Sequence, residues 1–260
     1  MITSSLIVLS CCSITSLIAG FIDAIAGGGG LLTVPVLLIT GNPSHLALGT
    51  NKFSATLGTI VALRNFAKSH LILWKMALFG LIFSLLGAWL GSKLTLYIDV
   101  EKLGKIIVLL LPFGMLATVL PRKKNDTTNK PIQGHKFWII LPLICFMIGL
   151  YDGFFGPGTG SFLILAFHWI LSIQLLSASA TAKVVNLGSN ISALIVFLVY
   201  DKIIWDIAIS MAIASMLGNW IGSKLAIKIG YNIVKKCLTI SLFLLFITLI
   251  WQFFLAPVNI

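Results

Sequence analysis

The chain has 260 residues, of which 58% are hydrophobic and only 10% charged, with a mean hydropathy of +1.07. Soluble domains carry about 25% charged residues, and one this apolar would expose large adhesive patches. The composition therefore excludes an ordinary soluble enzyme or binding module and fits a protein whose outer face is solvated by lipid. The formal charge of +11 sits in short loops between apolar runs, which matches the excess of Lys and Arg in cytoplasmic loops and not a nucleic-acid surface.

In chain order, apolar runs fall at 3–22, 24–40, 45–63, 76–98 and 103–120, then at 137–155, 158–175, 179–200, 205–227 and 237–256. Each is read as helical, giving an all-α integral membrane protein with roughly 8–10 transmembrane segments. Met1 to Gly20 carries no Lys or Arg. It is read as a retained first span, because a cleaved signal needs a positive n-region. The runs 24–40 and 158–175 are short and open in glycine clusters. They are short spans, half-helices or re-entrant hairpins. One long polar stretch, PRKKNDTTNKPIQGHK, divides the chain into a first repeat at 1–120, a linker at 121–136 and a second repeat at 137–260.

The two parts read as copies of one unit. GAWLGSKL at Gly87–Leu94 recurs as GNWIGSKL at Gly218–Leu225, an offset of 131. GFIDAIAGGGG from Gly20 answers to GLYDGFFGPGT from Gly149, an offset of 129. Thr50 and Lys52 stand opposite Thr181 and Lys183, again at 131. The loop Arg64–Lys75 is basic, and its counterpart Tyr200–Asp206 holds Asp201, Lys202 and Asp206. The loop 93–105 is mixed, and its counterpart 224–236 is purely basic. Because the basic loop changes place between copies, the copies are expected to insert in opposite senses. Inverted repeats are common among secondary transporters. The same bias puts 64–75, 121–136 and 224–236 in the cytoplasm. Five crossings per half give inverted repeats; four, with re-entrant glycine segments, give parallel ones.

Chemistry is sought where polar residues interrupt apolar runs. Gly27, Gly28, Gly29 and Gly30 stand in a row, and Gly156, Gly158, Thr159 and Gly160 surround Pro157 in the second copy. Glycine weakens a helix by about 1 kcal/mol per residue. Broken backbone at membrane depth is tolerated only when buried in protein or lining a cavity. Breaks at matching places in two halves point to a substrate site near the midplane, and helix starts suit an anion. Close packing through small residues is the plain alternative.

Asp23 and Asp152 precede the two breaks by four residues, and Lys52 and Lys183 open the third run of each half. A charge at the bilayer centre costs about 2.5–3.5 kcal/mol, so pairing is expected, of Asp23 with Lys52 and of Asp152 with Lys183. The pairs are read as structural pins, as sources of a positive field, or as carriers of a coupling proton. Thr50 and Asn51 precede Lys52; Thr181 precedes Lys183, and Asn186 and Asn190 share its helix face. These polar groups are read as a cavity lining, with hydrogen bonding across helices as the alternative.

The GxxxG pairs Gly87/Gly91 and Gly218/Gly222 are read as packing motifs. Cys11, Cys12, Cys145 and Cys237 are read as small buried apolar side chains. No metal pair, Walker motif or nucleophile–base arrangement is present in the sequence. The expectation is no catalytic residue, cofactor, metal or nucleic acid.

The segments GFIDAIAGGGGLLTVPVLL, LALGTNK, YDGFFGPGTGSF and ATAKVVNLGSNI, in order through both halves, resemble the TauE/SafE (toluene-sulfonate uptake permease) family, and most its YfcA-like branch. The resemblance implies movement of small sulfur-containing anions, such as sulfite or organosulfonates, across a bacterial-type cell membrane. The combined expectation is a secondary transporter of a small anion working by alternating access, with H+ or Na+ as a coupling ion and a homo-oligomer as a further option. The alternatives are a passive anion channel and a membrane accessory protein that transports nothing.

Overall fold

The structure is a computed structural model that describes residues 2–97 and 134–250. The expected run 103–120 and most of the linker 121–136 lie outside the described residues. Among the described residues every regular element is helical. The helices are α1 (Ile2–Ala26), α2 (Gly30–Ile39), α3 (Ser44–Lys68), α4 (Trp74–Thr95), α5 (His135–Phe154), α6 (Thr159–Leu165), α7 (Leu175–Val199), α8 (Trp205–Ile229) and α9 (Tyr231–Ile250). A π-helical turn, Ala166–Ile170, extends α6. The helices follow the apolar runs closely.

Among the described residues, four segments are long and apolar enough to cross a membrane: Leu6–Ala26, Trp74–Thr95, Lys136–Phe154 and Leu175–Val199. Helices α3 and α8 are equally long at 25 residues but carry more polar side chains. Those of α3 point inward, where Asn51, Lys52, Ser54, Thr56 and Thr59 are buried. The outward face of α4 shows Leu78, Ile82 and Leu86, and that of α8 shows Ile209, Ile213 and Leu217, all about half exposed. Both stripes have the four-residue spacing of one helix face and suit contact with lipid. At the ends of these helices Lys93 lies over Trp89 at 3.9 Å and Lys224 over Trp220 at 3.7 Å. Each lysine thus keeps its charge beside an amphipathic ring, as interfacial side chains do. Of the cysteines, Cys12 and Cys145 are buried as expected; Cys11 is exposed and Cys237 half-buried, on helix faces that leave the interior.

Packing crosses the midpoint of the chain. Helix α1 lies along α8, α4 lies along α5, and α3 and α7 meet between them. The GxxxG motifs make these crossings. A Cβ on Gly91 would lie 2.0 Å from the Leu150 carbonyl oxygen, and one on Gly218 would lie 2.1 Å from that of Leu17. Only glycine allows backbones this close.

Breaks and turns recur at matching places. Positive φ occurs at Gly27 and Gly156, at Gly41 and Ser172, and at His70 and Asp201. Helix α2 has 10 residues, about 15 Å at 1.5 Å per residue and half a hydrocarbon core of about 30 Å. Of the readings open for the glycine-started segments, its length is that of a half-helix. The two breaks touch. A Cβ on Gly27 would lie 2.3 Å from the Gly160 backbone, and the Ser161 amide donates to the Gly27 carbonyl at 3.3 Å.

Gly27→Ala and Gly41→Ala separate the two demands on glycine. Gly27 (φ +77°) has no room for a Cβ, whereas Gly41 (φ +84°) has nothing within 4 Å of one. Gly41→Ala should cost only the left-handed conformation, about 1–2 kcal/mol. Gly27→Ala should lower the melting temperature of detergent-purified protein far more, or prevent its accumulation in membranes.

Candidate functional site

Where the two breaks meet, four charges assemble, with Lys52, Asp152 and Lys183 buried and Asp23 half-buried. Lys52 of α3 donates to Asp152 Oδ1 at 2.7 Å, and both side chains are almost wholly buried. Lys183 of α7 donates to Asp23 Oδ2 at 2.8 Å, and also to the Asp23 backbone carbonyl. The connectivity corrects the expected one. Each lysine pairs with the aspartate of the opposite half, not with that of its own. The reason is the packing: the breaks abut across the midpoint, so the last turn of α1 faces α7 and the last turn of α5 faces α3. An isolated lysine here would be costly, and removing one member of such a pair costs about 3–5 kcal/mol.

Hydrogen bonds fix the rest of the cluster. Lys52 also donates to Asn190 Oδ1 at 3.1 Å. Thr159, in the first turn of α6, donates to Asp152 Oδ1 at 2.6 Å. The Gly29 amide donates to Asp23 Oδ1 at 3.4 Å. Asn51 Oδ1 accepts from Thr33 of α2 at 2.6 Å. Gly156 needs its φ of +94° to turn beside Lys52, whose ammonium would lie 3.1 Å from a Cβ there. Among the described residues, Asp152 Oδ2 is buried with no partner.

These groups line a small polar cavity of about 20 Å³, room for roughly one water. Of the residues singled out in the sequence, Asp23, Gly27, Gly30, Asn51, Lys52 and Asp152 line it, as do Gly156, Gly158, Thr159, Gly160, Asn186 and Asn190. Others lie elsewhere. Gly28 packs against Ser241 of α9, and Gly29 against Asp23. Thr50 and Thr181 turn to the loops. Thr50 Oγ1 accepts from the Ile204 amide at 3.0 Å, and Thr181 Oγ1 from the Leu73 amide at 3.2 Å. Each threonine thereby holds the start of a helix of the opposite half, α8 or α4. Lys183 stands behind Asp23, outside the cavity wall.

Three supporting residues escaped the sequence reading. Thr33 orients Asn51, Tyr151 donates to the Pro157 carbonyl, and Ser161 donates to the Ala26 carbonyl at 2.7 Å. Their signal was position alone: each is a hydroxyl within a few residues of a break.

A buried cluster of paired charges at two abutting helix breaks, inside an all-helical protein with apolar spans, is the arrangement of a membrane transporter. The profile of the family described as "Sulfite exporter TauE/SafE" matches residues 12–249, and the chain belongs to this family. A "Probable membrane transporter protein" of Haemophilus influenzae is 37% identical over 229 residues, covering 88% of this chain and 89% of that protein. One of Sinorhizobium, named ORF9, is 36% identical over 233 residues, covering 87% and 86%. The "Probable membrane transporter protein YfcA" of Escherichia coli K12 is 33% identical over 226 residues, covering 86% and 83%. No solved structure matches the chain.

Thr50→Val and Thr181→Val should each leave a loop amide unsatisfied, at about 1–3 kcal/mol. The melting temperature should fall by several degrees. Asn186→Leu lines the cavity and anchors no helix start, so it should melt close to the parent. Thermal unfolding of the three purified variants checks the division.

Proposed function

We propose that the chain is a secondary transporter of a small anion, with sulfur oxyanions and organosulfonates as the substrate class. The observation that carries this reading is the pair of buried lysines at the meeting of two helix breaks. Their field, the amide groups of Asn51, Asn186 and Asn190 and the exposed backbone of the breaks together suit an oxyanion. The family's description as a sulfite exporter supports sulfur chemistry. The halves are inverted repeats, supported by the charge exchange between loops, by the reciprocal packing of α1 on α8 and α4 on α5, and by the paired positive-φ residues. The loops 64–75, 121–136 and 224–236 face the cytoplasm. A cavity of about 20 Å³ is too small for a sulfite-sized ion, so transport requires one half to move against the other.

Charge balance suggests the coupling. Two lysines and two aspartates sum to zero, and an arriving anion leaves a net negative charge in a low-dielectric site. A proton on Asp152, whose Oδ2 has no partner among the described residues, restores the balance and frees Lys52 to hold the anion. Proton symport, or its reversal as export, follows.

The test is uptake of labelled sulfite, sulfate, thiosulfate, sulfoacetate and an aryl sulfonate into proteoliposomes, beside chloride and a carboxylate, with internal pH recorded. Saturable uptake of a sulfur oxyanion accompanied by acidification is expected. Lys52→Met with Lys183→Met should abolish it in protein shown to be folded, and Asp152→Asn should remove its dependence on the proton gradient. Non-saturating flux would make the protein a channel. No flux of any solute from folded protein would overturn the reading.

A further inference from the structure

The central cavity adjoins a second one, also of about 20 Å³, lying between α1, α3 and α8. The two share Asp23, Gly30, Asn51 and Ala55 in their walls. The second cavity continues away from the ion pairs along serines. Ser16 and Ser54 stand 3.3 Å apart, Ser215 lines the wall, and Ser13 meets Ser210 one turn further on. Beside Ser215, Asn219 Oδ1 is buried without a partner among the described residues.

The opposite half repeats the packing and changes the chemistry. A Cβ on Gly20 would lie 2.6 Å from the Ser215 carbonyl, and one on Gly149 would lie 2.5 Å from that of Ser84. Ser16 donates to the Met211 carbonyl at 2.7 Å. At the matching place Cys145 packs on Gly80, with Val185 beside it. The backbones correspond, yet Ser16, Thr33, Ser54 and Ser210 are answered by Cys145, Phe162, Val185 and Phe79, and only Ser215 keeps a serine, Ser84. The apolar version belongs to the main hydrophobic core. Beside the polar version packs a small separate cluster, Cys12, Leu37, Ala47 and Met211.

We infer that the serine-lined passage between α1, α3 and α8 is the hydrated route joining the central site to one membrane face, and that its counterpart between α4, α5 and α7 is the dry gate. The inference rests on the transporter reading. Buried hydroxyls beside a cavity offer hydrogen bonds to water and to an oxyanion, so a small displacement of the four-residue cluster wets the path. An apolar constriction excludes ions by dewetting and opens only when helices separate. The route runs toward the first turns of α1 and α8, and passes α3 at Ser54. These ends lie together, since Thr50 holds Ile204 and Cys12 packs with Ala47 and Met211. On the charge distribution of the loops this face is the outer one.

Thiol accessibility in native membranes tests the inference without requiring any transported solute, so failure of the transport reading leaves a separate signature. The chain supplies its own control, because Cys145 occupies the position that matches Ser16. Ser16→Cys and Ser54→Cys are made singly with all four native cysteines replaced by serine, and a third variant keeps Cys145 alone. Each is exposed to a small charged methanethiosulfonate in right-side-out and inside-out vesicles. The two engineered thiols should react at least about tenfold faster than Cys145, as an accessible thiol outpaces a buried one, and faster from the outer side. Both Ser16→Cys and Ser54→Cys carry the test, so misfolding of one leaves the other. Equal rates at Cys145 and the engineered sites, or no reaction at either engineered site in folded protein, would overturn the inference.

Discussion

The crossed ion pairs Lys52–Asp152 and Lys183–Asp23 are the constraint on which the rest of the structure depends. Each lysine is buried within a 25-residue helix, α3 or α7, where an unpaired charge would be costly. Each finds its carboxylate only if the other half of the chain is docked correctly. The pairs therefore tie assembly of the halves to burial of the charges. A buried pair adds little net stability over apolar side chains, whereas leaving one member unpaired is costly. The pairs thus act chiefly as a condition on correct docking, and they leave charged groups at the point where the breaks meet.

The glycines make that meeting possible. Gly27 against Gly160, with the Ser161 amide bonded to the Gly27 carbonyl, brings two backbones to a distance that no side chain permits. The GxxxG contacts of α4 on α5 and α8 on α1 repeat the principle along whole helices. Hydroxyls then satisfy the backbone freed by the breaks: Ser161 on Ala26, Tyr151 on Pro157 and Ser179 on Ile25 at 2.9 Å. Small side chains set the approach, hydroxyls serve the loose carbonyls and amides, and the charges occupy what remains.

Much of this was legible in the sequence, and the exceptions have physical causes. Helix positions followed the apolar runs because lipid exposure enforces hydrophobicity over each span. The breaks announced themselves through glycine and proline. Asn186 and Asn190 line the cavity, but Lys183, whose helix face they were expected to share, stands outside it. The partners of the lysines were misread, because separation along the chain says nothing about which half a helix packs against once the halves interlock. Thr50 and Thr181 looked like cavity residues, yet they hold the starts of α8 and α4, an assignment that depends on loops distant in sequence. The serines of the α1–α3–α8 passage carried no signal of their own. Single serines in apolar runs are common, and their alignment becomes visible only when three helices are placed side by side.

Exchanging the charges of one pair tests the crossed connectivity most directly. Lys52→Asp combined with Asp152→Lys keeps a pair in place, whereas Lys52→Asp combined with Asp23→Lys puts opposite charges on the same-half partners. Thermal unfolding of the purified single and double variants is the measurement. The crossed account predicts that either change at Lys52 or Asp152 alone lowers the melting temperature steeply, that the Lys52/Asp152 exchange recovers most of the loss, and that the Lys52/Asp23 exchange recovers none. Recovery by the same-half exchange, with none from the cross-half one, would contradict it.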